Sequence, residues 1–546
     1  MKTIHFRRAL AGALVPMGAL LVGTPATADL VLNFDNDRPD ASTLPAYITF
    51  TGAPAGGFDA TIAGTSTVLQ EGVSYSLSAL AAGVDVTKYT SGRVVVSLGS
   101  PLTGLTAGSN YAPDFVSTTS PNFLTRMDKY EITYGVPASG GAPTGGANLS
   151  STDFFGIPLQ LQTTGGSQPK TLTWNYNTAV NTAAVFQALG ALENFQTDTV
   201  TNTRGALVTG GANGVTINTP SGPMNGVVRI IAPSSTNQPG TGSSTPYPNI
   251  GAYATYIENN GISANIAGQN GQFAGTSGPF QNYNMTGVIS NGVTPIGGTV
   301  YPAGQLVLTG QVTNPNGVGT SPLTVTVSQA NLQSFIIYGA NPAYNVTVGT
   351  NTNKVVQKIV ADYFSGLNFG FIGSPVKNPN MPGTTIGASP SWTWYGNKPN
   401  GGGPAPLPLS DAYAAAQPDN SGFYNAYASY LNNSSAPVTD AYGFPYTDRL
   451  ASPLASLDDN TVLTMTILPD SVGSLPSSWV IIVPAPNTQT FADLLVGPTP
   501  SSMLTVTGGG TAILSAENTY AGGTTITDGT TVQVTNSNPG ISSSIG

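Results

Sequence analysis

Short runs of β-forming residues, interrupted by glycine and proline, constrain the fold of this chain more than any other feature. Between residues 47 and 102 these runs are YITFTG, TSTVLQ, VSYSLSAL and GRVVVSLGSPL. The chain contains 67 Gly and 43 Pro, which favour turns, and only 8% charged residues. Many short strands joined by turns are typical of an antiparallel β-sandwich or barrel, which is therefore the predicted fold.

The scarcity of cysteine and histidine excludes whole classes of chemistry. The chain has no Cys, and its one His is His5, near the N-terminus. Disulfides, thiolate nucleophiles, histidine-dependent triads and zinc held by histidine are therefore excluded from the rest of the chain. Catalysis would have to use carboxylates, hydroxyls, lysine or tyrosine. No metal or cofactor motif is clearly encoded, and we expect neither group.

Residues 1–28 have the pattern of a secretory signal. Lys2, Arg7 and Arg8 form a basic segment, Ala9–Val22 is apolar, and Ala26–Ala28 is a cleavage site of small residues. The apolar run is too short and too interrupted by glycine to predict a membrane span, and no later stretch is long and apolar enough. The pattern predicts export, and these residues are set apart from the fold.

The charge of the chain argues against polyanionic partners. The formal net charge is −9, and it becomes −12 without the three basic residues of the signal segment. An acidic, weakly charged protein is not expected to bind nucleic acid or an anionic membrane. A neutral polymer is a more compatible partner.

The stretch from residue 126 to 162 contains the main candidate for chemistry. Its first part, KYEITY, has strand character, so alternate side chains should point to opposite faces. The expected core face carries Tyr130, Ile132 and Tyr134. The other face carries Lys129, Glu131 and Thr133.

Two carboxylates of this stretch, one from each of its two strand-like parts, are the candidates for catalysis. Glu131 lies on the first strand, and Asp153 precedes a second alternating run after a loop rich in Gly, Pro, Ser and Asn. Two carboxylates that face one groove are what glycosidic bond hydrolysis requires, because one protonates the leaving oxygen and the other activates water or attacks. The alternative is structural: Glu131 pairs with Lys129 on an exposed face, and Asp153 ends a turn.

Composition shifts divide the chain into segments, and 3.6-residue spacing predicts its helices. Helices are expected at Ala183–Phe195, Tyr253–Ile257, Lys354–Phe364 and Phe423–Leu431. The predicted segments are a signal peptide (1–28), a disordered polar leader (29–45), a β domain (46–245), an inserted mixed α/β domain (246–420), a return to the β domain (421–500) and a β-solenoid-like tail of Thr/Val/Ile runs and Gly corners (504–546).

Two further residues are candidates for binding. Arg93 either caps its strand in solvent or reaches the carboxylates. Trp394, in the cluster WTWY, either stacks on a sugar ring or fixes its loop to the domain. The sequence leaves both pairs of alternatives open.

Five motifs in a fixed order, over roughly residues 45–485, resemble glycoside hydrolase family 64, the bacterial endo-β-1,3-glucanases, whose β domain is similar to thaumatin-like proteins. The motifs are GRVVVSLGSPL, KYEITY, TDFFGIPLQLQ, VVRIIAPS and AYGFPYTD. The resemblance implies a mainly β (α+β) fold, with a thaumatin-like β-sandwich or barrel domain and an inserted mixed α/β domain beside a groove for a glucan strand.

The resemblance also assigns roles to residues. Glu131 matches the family's acid, Asp153 its base and Thr133 a threonine that lines the groove. In the late motif AYGFPYTD, Thr447 replaces the first residue of an expected Asp pair, so only Asp448 carries over, with Tyr446 beside it. Inverting hydrolysis without a cofactor is implied.

These observations predict a secreted, monomeric endo-β-1,3-glucanase whose partner is a β-1,3-glucan. The alternatives are a non-catalytic glucan-binding protein and a structural surface passenger. The tail resembles the passenger repeats of bacterial autotransporters, which implies export through the periplasm of a Gram-negative-type envelope to the cell surface or the medium.

Overall fold

A computed structural model describes much of the chain between residues 30 and 534. The predicted signal peptide lies outside the described residues, as do parts of the tail. By compactness the chain divides into one unit of residues 1–36, 40–174 and 186–468 and a second of residues 37–39, 175–185 and 469–546. The described ranges are 30–137, 140–174, 181–198, 205–235, 246–269, 281–313, 319–349, 353–409, 411–413, 423–432, 438–450, 453–471, 478–482, 488–491, 503–507, 509–514, 524–527 and 529–534.

The first part of the chain is built of strands, as its β-forming runs predict. The longest strand, residues 84–98, ends in an apolar run that is buried on both faces of the sheet. The strands are β1 (Leu30–Asn36), β2 (Ala46–Thr51), β3 (Phe58–Ile62), β4 (Ser74–Ser76), β5 (Val84–Leu98), β6 (Arg126–Gly135), β7 (Thr144–Leu149), β8 (Phe154–Phe155), β9 (Leu159–Gly165) and β10 (Thr171–Thr173).

One helix and short strands follow. The helix is α1 (Thr182–Leu192), at the position that the apolar spacing predicts, and its residues Phe186 and Leu189 are buried. Phe186 packs against Phe155, with ring centroids 5.3 Å apart. The strands are β11 (Thr197–Asp198), β12 (Leu207–Val208), β13 (Val215–Thr219), β14 (Gly222–Val227) and β15 (Arg229–Ile231).

The mixed α/β region contains an antiparallel sheet and most of the helices. The buried side chains of α4 pack on the sheet, which agrees with the apolar spacing of that helix. The elements are α2 (Gly251–Asn259), β16 (Ser263–Gln269), β17 (Asn282–Ile289), β18 (Leu306–Thr313), β19 (Thr320–Val327), α3 (Ser334–Gly339), β20 (Asn345–Val348), α4 (Asn353–Phe369), α5 (Trp392–Tyr395) and α6 (Ala426–Asn432).

The last part of the chain consists of strands. Two of them return to the first sheet, and the others pair in parallel. The strands are β21 (Ala455–Asp458), β22 (Thr461–Ile467), β23 (Ser478–Ile482), β24 (Thr488–Phe491), β25 (Met503–Thr507), β26 (Thr511–Leu514), β27 (Thr524–Ile526) and β28 (Thr531–Val534).

The largest sheet has eleven strands, with the main order β10-β9-β22-β1-β5-β6-β7-β21 and with β2, β3 and β4 attached through β5. All its pairs are antiparallel except β1 with β22. It is nearly closed, like a barrel. A second sheet, β11-β12-β15-β8, carries the start of the TDFFGIPLQLQ motif, and β16 to β20 form a five-stranded antiparallel meander.

The prediction of a disordered leader over residues 29–45 was wrong. Leu30–Asn36 is strand β1, paired with β22 on one side and β5 on the other, and Leu30 and Leu32 are fully buried. The apolar–polar alternation of LVLNF was sufficient for a strand, despite the aspartates that follow it.

The tail forms two parallel ladders, β23-β25-β27 and β24-β26-β28, as expected for the rungs of a β-solenoid. The parallel pairing begins at Ser478, before the predicted start of the tail at residue 504. Val506 and Ala512 are buried within it. The predicted mainly β fold with a mixed α/β region and a solenoid-like tail is thus confirmed. Among the described residues, no helix is long and apolar enough to cross a membrane.

Candidate active site

Strand β6 presents its two faces as the alternation predicts. Tyr130, Ile132 and Tyr134 are buried, whereas Glu131 is partly exposed and Thr133 is exposed. Thr133 therefore lies on the same face as Glu131, two residues away, and its hydroxyl accepts a hydrogen bond from the backbone of Ser91 at 3.1 Å. This face of the sheet is where the candidate chemistry is found.

Pairing of three adjacent strands places a row of polar side chains across this face. Arg93 on β5 is directly opposite Glu131 on β6, and Asn148 on β7 is opposite Glu131 on the other side. Directly paired residues point to the same face of a sheet. Asn148 donates a hydrogen bond to Oε2 of Glu131 at 3.4 Å, so a neighbour flanks Glu131 on each side.

Asp153 reaches this row because two buried side chains on β6 hold the loop that follows it. Arg126 Nε donates to the carbonyl of Gly156 at 3.0 Å, and Asp128 accepts from the amides of Gly156 and Ile157 at 2.8 and 3.0 Å. A Cβ at position 156 would come within 2.2 Å of the Met127 carbonyl oxygen. Only glycine permits this close approach of the loop to β6.

Arg93 lies between the two carboxylates. Its Nη2 is 3.7 Å from Oε1 of Glu131 and 3.9 Å from Oδ2 of Asp153. Because Nη2 is common to both contacts, Oε1 of Glu131 and Oδ2 of Asp153 are at most 7.6 Å apart, which is the sum of the two distances. The structure therefore brings Glu131, Asp153 and Arg93 together. Of the two alternatives for Arg93, this is the one in which it reaches the carboxylates.

Lys129 pairs with Asp153, which differs from the structural alternative in which it pairs with Glu131. Its Nζ is 3.0 Å from Oδ2 of Asp153, and its side chain is only 3% exposed. Although burial alone would raise the pKa of Asp153, the charges of Lys129 and Arg93 outweigh it and lower that pKa to about 2. Asp153 is therefore ionised at neutral pH.

The charge of Arg93 is stabilised in return. Burial alone would lower the pKa of Arg93, but the nearby Asp153 and Glu131 carboxylates raise it above its usual value. The side chains of Arg93 and Glu131 are each 37% exposed, and that of Asp153 is 23% exposed. The group combines fixed charges with access from solvent.

The late motif lies beside the segment that leads to Asp153. The amide of Tyr442 donates to the carbonyl of Leu149, and the carbonyl of Tyr442 accepts from Ser151, both at 3.0 Å. Asp448 follows in a short turn and is near enough to Lys358 for its charge to affect that lysine.

Tyr446, half-buried, lies with its ring 5.7 Å from the guanidinium carbon of Arg449. Binding roles for Asp448 and Tyr446 stay predictions, as does that of Thr133.

Trp394 occupies a buried position. Its side chain is fully buried, and its indole N–H donates to the Ile386 carbonyl at 2.9 Å and to the Ser389 hydroxyl at 3.0 Å. The ring also packs edge-on against Tyr395, with centroids 5.8 Å apart. These contacts favour the alternative in which Trp394 fixes its loop to the domain, because a buried ring is not available to a sugar in this conformation.

Two residues of the site were not among the sequence candidates, namely Lys129 as the partner of Asp153 and Asn148 as the partner of Glu131. Lys129 was detectable as a member of the Glu131 face, but its partner depended on the path of a long loop. Asn148 required the register of β7. Within the described residues, no group of three or more His, Cys, Asp or Glu side chains is arranged to hold a metal ion.

Comparison with known proteins identifies the family of this region. The model of glycoside hydrolase family 64, described as Beta-1,3-glucanase, matches residues 53–216. No curated protein matches the chain.

Among solved structures, a family 64 β-1,3-glucanase domain from Clostridium beijerinckii is 13% identical, with a TM-score of 0.45 over 81% of this chain and 98% of that one. A laminaripentaose-producing β-1,3-glucanase in complex with laminaritetraose is 15% identical, with a TM-score of 0.46 over 82% of this chain and 100% of that one.

The matched residues include Arg93, Glu131 and Asp153. The resemblance of the tail to passenger repeats stays a prediction. The match of the family model to residues 53–216 agrees with the predicted family, glycoside hydrolase family 64, and with its enzyme class, a β-1,3-glucanase.

Proposed function

We propose that this protein cleaves internal β-1,3-glucosidic bonds of glucans by an inverting mechanism, with Glu131 as general acid and Asp153 as general base. The observation that carries the proposal is the position of Arg93 Nη2, 3.7 Å from one carboxylate and 3.9 Å from the other on an accessible face of the sheet. Inverting enzymes separate their carboxyl groups by about 6.5–9.5 Å to admit a water molecule. The upper limit of 7.6 Å is compatible with that range.

The electrostatics support this division of roles. A general acid must carry a proton before the reaction, and Asp153, with a pKa of about 2, carries none at neutral pH. It is suited to receive the proton of an attacking water. Glu131 then remains as the proton donor to the leaving oxygen.

The charge balance of the site suits a neutral substrate. Two cations, Arg93 and Lys129, lie against the carboxyl groups of Glu131 and Asp153, so groups of both signs are interspersed and no large field of one sign favours a polyion. Thr133, Tyr446 and Asp448 are proposed to contact sugar hydroxyls or rings along the groove. The proposal includes secretion through the signal at residues 1–28 and action as a monomer.

The test is hydrolysis of laminarin, a β-1,3-glucan, with a β-1,4-glucan as the control substrate. Reducing ends should be released from laminarin and not from the β-1,4-glucan. Proton NMR of the first product should show the α-anomer. An initial β-anomer would indicate a retaining mechanism, with carboxyl groups about 5–5.5 Å apart, and would contradict the role of Asp153 as a base.

A non-catalytic glucan-binding function is the second candidate. It is favoured by the same pairing that keeps Asp153 ionised, because a carboxylate with a pKa of about 2 is a weak base. Calorimetry with laminari-oligosaccharides distinguishes the two. Binding of the oligosaccharides without release of reducing ends over long incubation would select this alternative.

A further inference from the structure

Lys129 differs from its neighbours on the active face of β6. It shares that face with Glu131 and Thr133, yet its side chain is only 3% exposed, against 37% for Glu131. Burying an ammonium group carries a large desolvation penalty unless the charge is closely paired. Lys129 is therefore placed by specific contacts.

Three contacts hold the ammonium group. Lys129 Nζ is 3.0 Å from Oδ2 of Asp153, 3.4 Å from the carbonyl oxygen of Ser150, to which it donates, and 4.6 Å from the ring centroid of Phe154. Ser150 and Phe154 flank Asp153 in the sequence. The lysine therefore contacts the backbone before the candidate base, the side chain after it and the carboxylate itself.

The two oxygens of Asp153 have different surroundings. Oδ2 is buried and lies next to both cations, Lys129 and Arg93. Among the described residues, the hydroxyl of Ser235 donates a long hydrogen bond, 3.5 Å, to Oδ1. Because Oδ2 is buried, the 23% exposure of this side chain lies on its remaining atoms, Cβ, Cγ and Oδ1 taken together.

We propose that Lys129 is a positioning residue that holds Oδ2 of Asp153 and so presents Oδ1 to the water that attacks the glucan. This inference rests on the proposed function. In the reaction, Oδ1 of Asp153 accepts one proton of that water, and the oxygen of the water bonds to the anomeric carbon of the sugar. The glycosidic bond breaks, and Glu131 gives its proton to the leaving oxygen.

The test compares Lys129→Met with Lys88→Met, which removes an exposed lysine on β5 whose ammonium donates to the Gly56 carbonyl. Lys129→Met should lower kcat for laminarin by about 10²-fold, since misplacement of a catalytic group by about 1 Å has that effect. KM should change by less than about 3-fold, because the lysine does not contact substrate. Lys88→Met should leave both values unchanged.

The pH profile separates positioning from a purely structural role. Loss of the cation should raise the pKa of Asp153, so the acidic limb of kcat/KM should move to higher pH in Lys129→Met. Lys129→Arg retains the charge but has different geometry. Lys129→Arg should therefore lower kcat, while the acidic limb of the kcat/KM profile should stay at its wild-type pH. Wild-type kcat and an unmoved limb in Lys129→Met would overturn the proposal, and if that variant does not fold, wild-type kcat in Lys129→Arg would do so.

A double-mutant cycle on stability tests the pairing without reference to activity. The loss of stability caused by Lys129→Met should be much smaller in an Asp153→Asn background, because the shared interaction is already absent. Additive losses would overturn the pairing. Absence of laminarin hydrolysis by the wild type, with strong coupling in the cycle, would reject the proposed function while retaining Lys129 as the partner of Asp153.

Discussion

Two centres of this protein each surround an aspartate with two cations, and they differ in access. At the candidate active site, Asp153 lies with Lys129 and Arg93. In the mixed α/β region, Asp362 on α4 pairs with Lys358 one turn away and with Arg449, whose Nη2 is 3.1 Å from its Oδ1.

The second centre is closed to solvent, and several groups contact its aspartate. Its three side chains are at most 5% exposed. Tyr283 donates its hydroxyl to Oδ2 of Asp362, and Tyr395 donates to the backbone carbonyl of Asp362 at 3.0 Å. Although burial would raise the pKa of Asp362, Lys358 and Arg449 lower it. This arrangement fits a structural connection between helix α4 and Arg449, which directly follows the late motif.

The comparison shows that an aspartate with two cations is not in itself a sign of catalysis. What distinguishes the first centre is a second carboxylate, Glu131, with a side chain 37% exposed, and an aspartate that is itself 23% exposed. Nearby charges lower the aspartate pKa in both centres, but of these two only the first is exposed to solvent.

The largest expected effect is on turnover in Glu131→Gln. The amide retains the shape of the side chain but has no proton to donate to the leaving oxygen, so kcat for laminarin should fall by about two to four orders of magnitude. The melting temperature should be nearly unchanged, because Glu131 is partly exposed. Glu258→Gln, the same change on α2, is the control, and near-wild-type hydrolysis by Glu131→Gln would contradict the role of Glu131.

The opposite pattern is expected for Asp362→Asn. Two buried cations, Lys358 and Arg449, would lose their counter-charge, and breaking a buried pair of this kind costs about 3–5 kcal/mol of unfolding free energy. Urea denaturation measures the loss, with Asp59→Asn, a change at an exposed strand position, as the control. A loss below about 1 kcal/mol would show that the closed centre is not a structural connection.

Asp128, which holds the Asp153 loop, should make stability depend on pH. Burial raises its pKa to about 6, against the opposing effects of Lys129 and the amides of Ile157 and Gly156. The folded protein then holds this proton more tightly than the unfolded chain, so this group's contribution to stability decreases as pH rises from about 4 to about 6.

In the wild type, this contribution to the free energy of unfolding should decrease by about 2–3 kcal/mol over that pH range, and Asp128→Asn should lack the decrease. The carbonyl oxygen of the asparagine can still accept from the loop amides. Urea denaturation at pH 4 and pH 7 gives the measurement, again with Asp59→Asn as the control. If the wild type and Asp128→Asn lose the same stability between the two pH values, the pKa of Asp128 is not raised by its environment.

The smallest effect is expected for Asp448→Asn. Asp448 acts on the closed centre, where burial and Arg449 lower the pKa of Lys358 to about 7 while Asp362 and Asp448 oppose that shift. As a proposed groove residue it should contribute binding and not chemistry. KM for laminarin should rise by about 5–10-fold with kcat within about 2-fold, and complete loss of kcat with unchanged binding would instead make Asp448 catalytic.

Local pattern was sufficient for much of the fold and for one side of the site. Period-two alternation correctly divides β6 into a buried tyrosine face and a face with Glu131, because each strand residue's direction is fixed by its own backbone. Helices α2 and α4 were predicted by apolar spacing for the same reason. The prediction of a disordered leader was wrong because it gave more weight to the charged residues after position 34 than to the strand-like alternation that includes Leu30 and Leu32.

The remainder of the site depends on contacts between distant residues. Which cation meets Asp153 depends on strand register and on the clamp at Gly156, neither of which a single sequence specifies. Lys129 and Glu131 are neighbours on one face, so local reasoning paired them, but the loop brings Asp153 to the lysine. For Trp394 the sequence left a sugar contact and a role in fixing the loop both open, because its burial depends on packing against residues in and after the 386–389 turn.

The clamp on Gly156 has a consequence for how this scaffold can diverge. Arg126 and Asp128 fix the position of Asp153 from the C-terminal side of its loop, while Glu131 is fixed by its own strand. The spacing of the two carboxylates is thus independent of the length of residues 136–143, which connect β6 to β7. Insertions in that connection should therefore be tolerated without disturbing the spacing of the two reacting groups, which gives natural divergence or engineering a place to lengthen the chain.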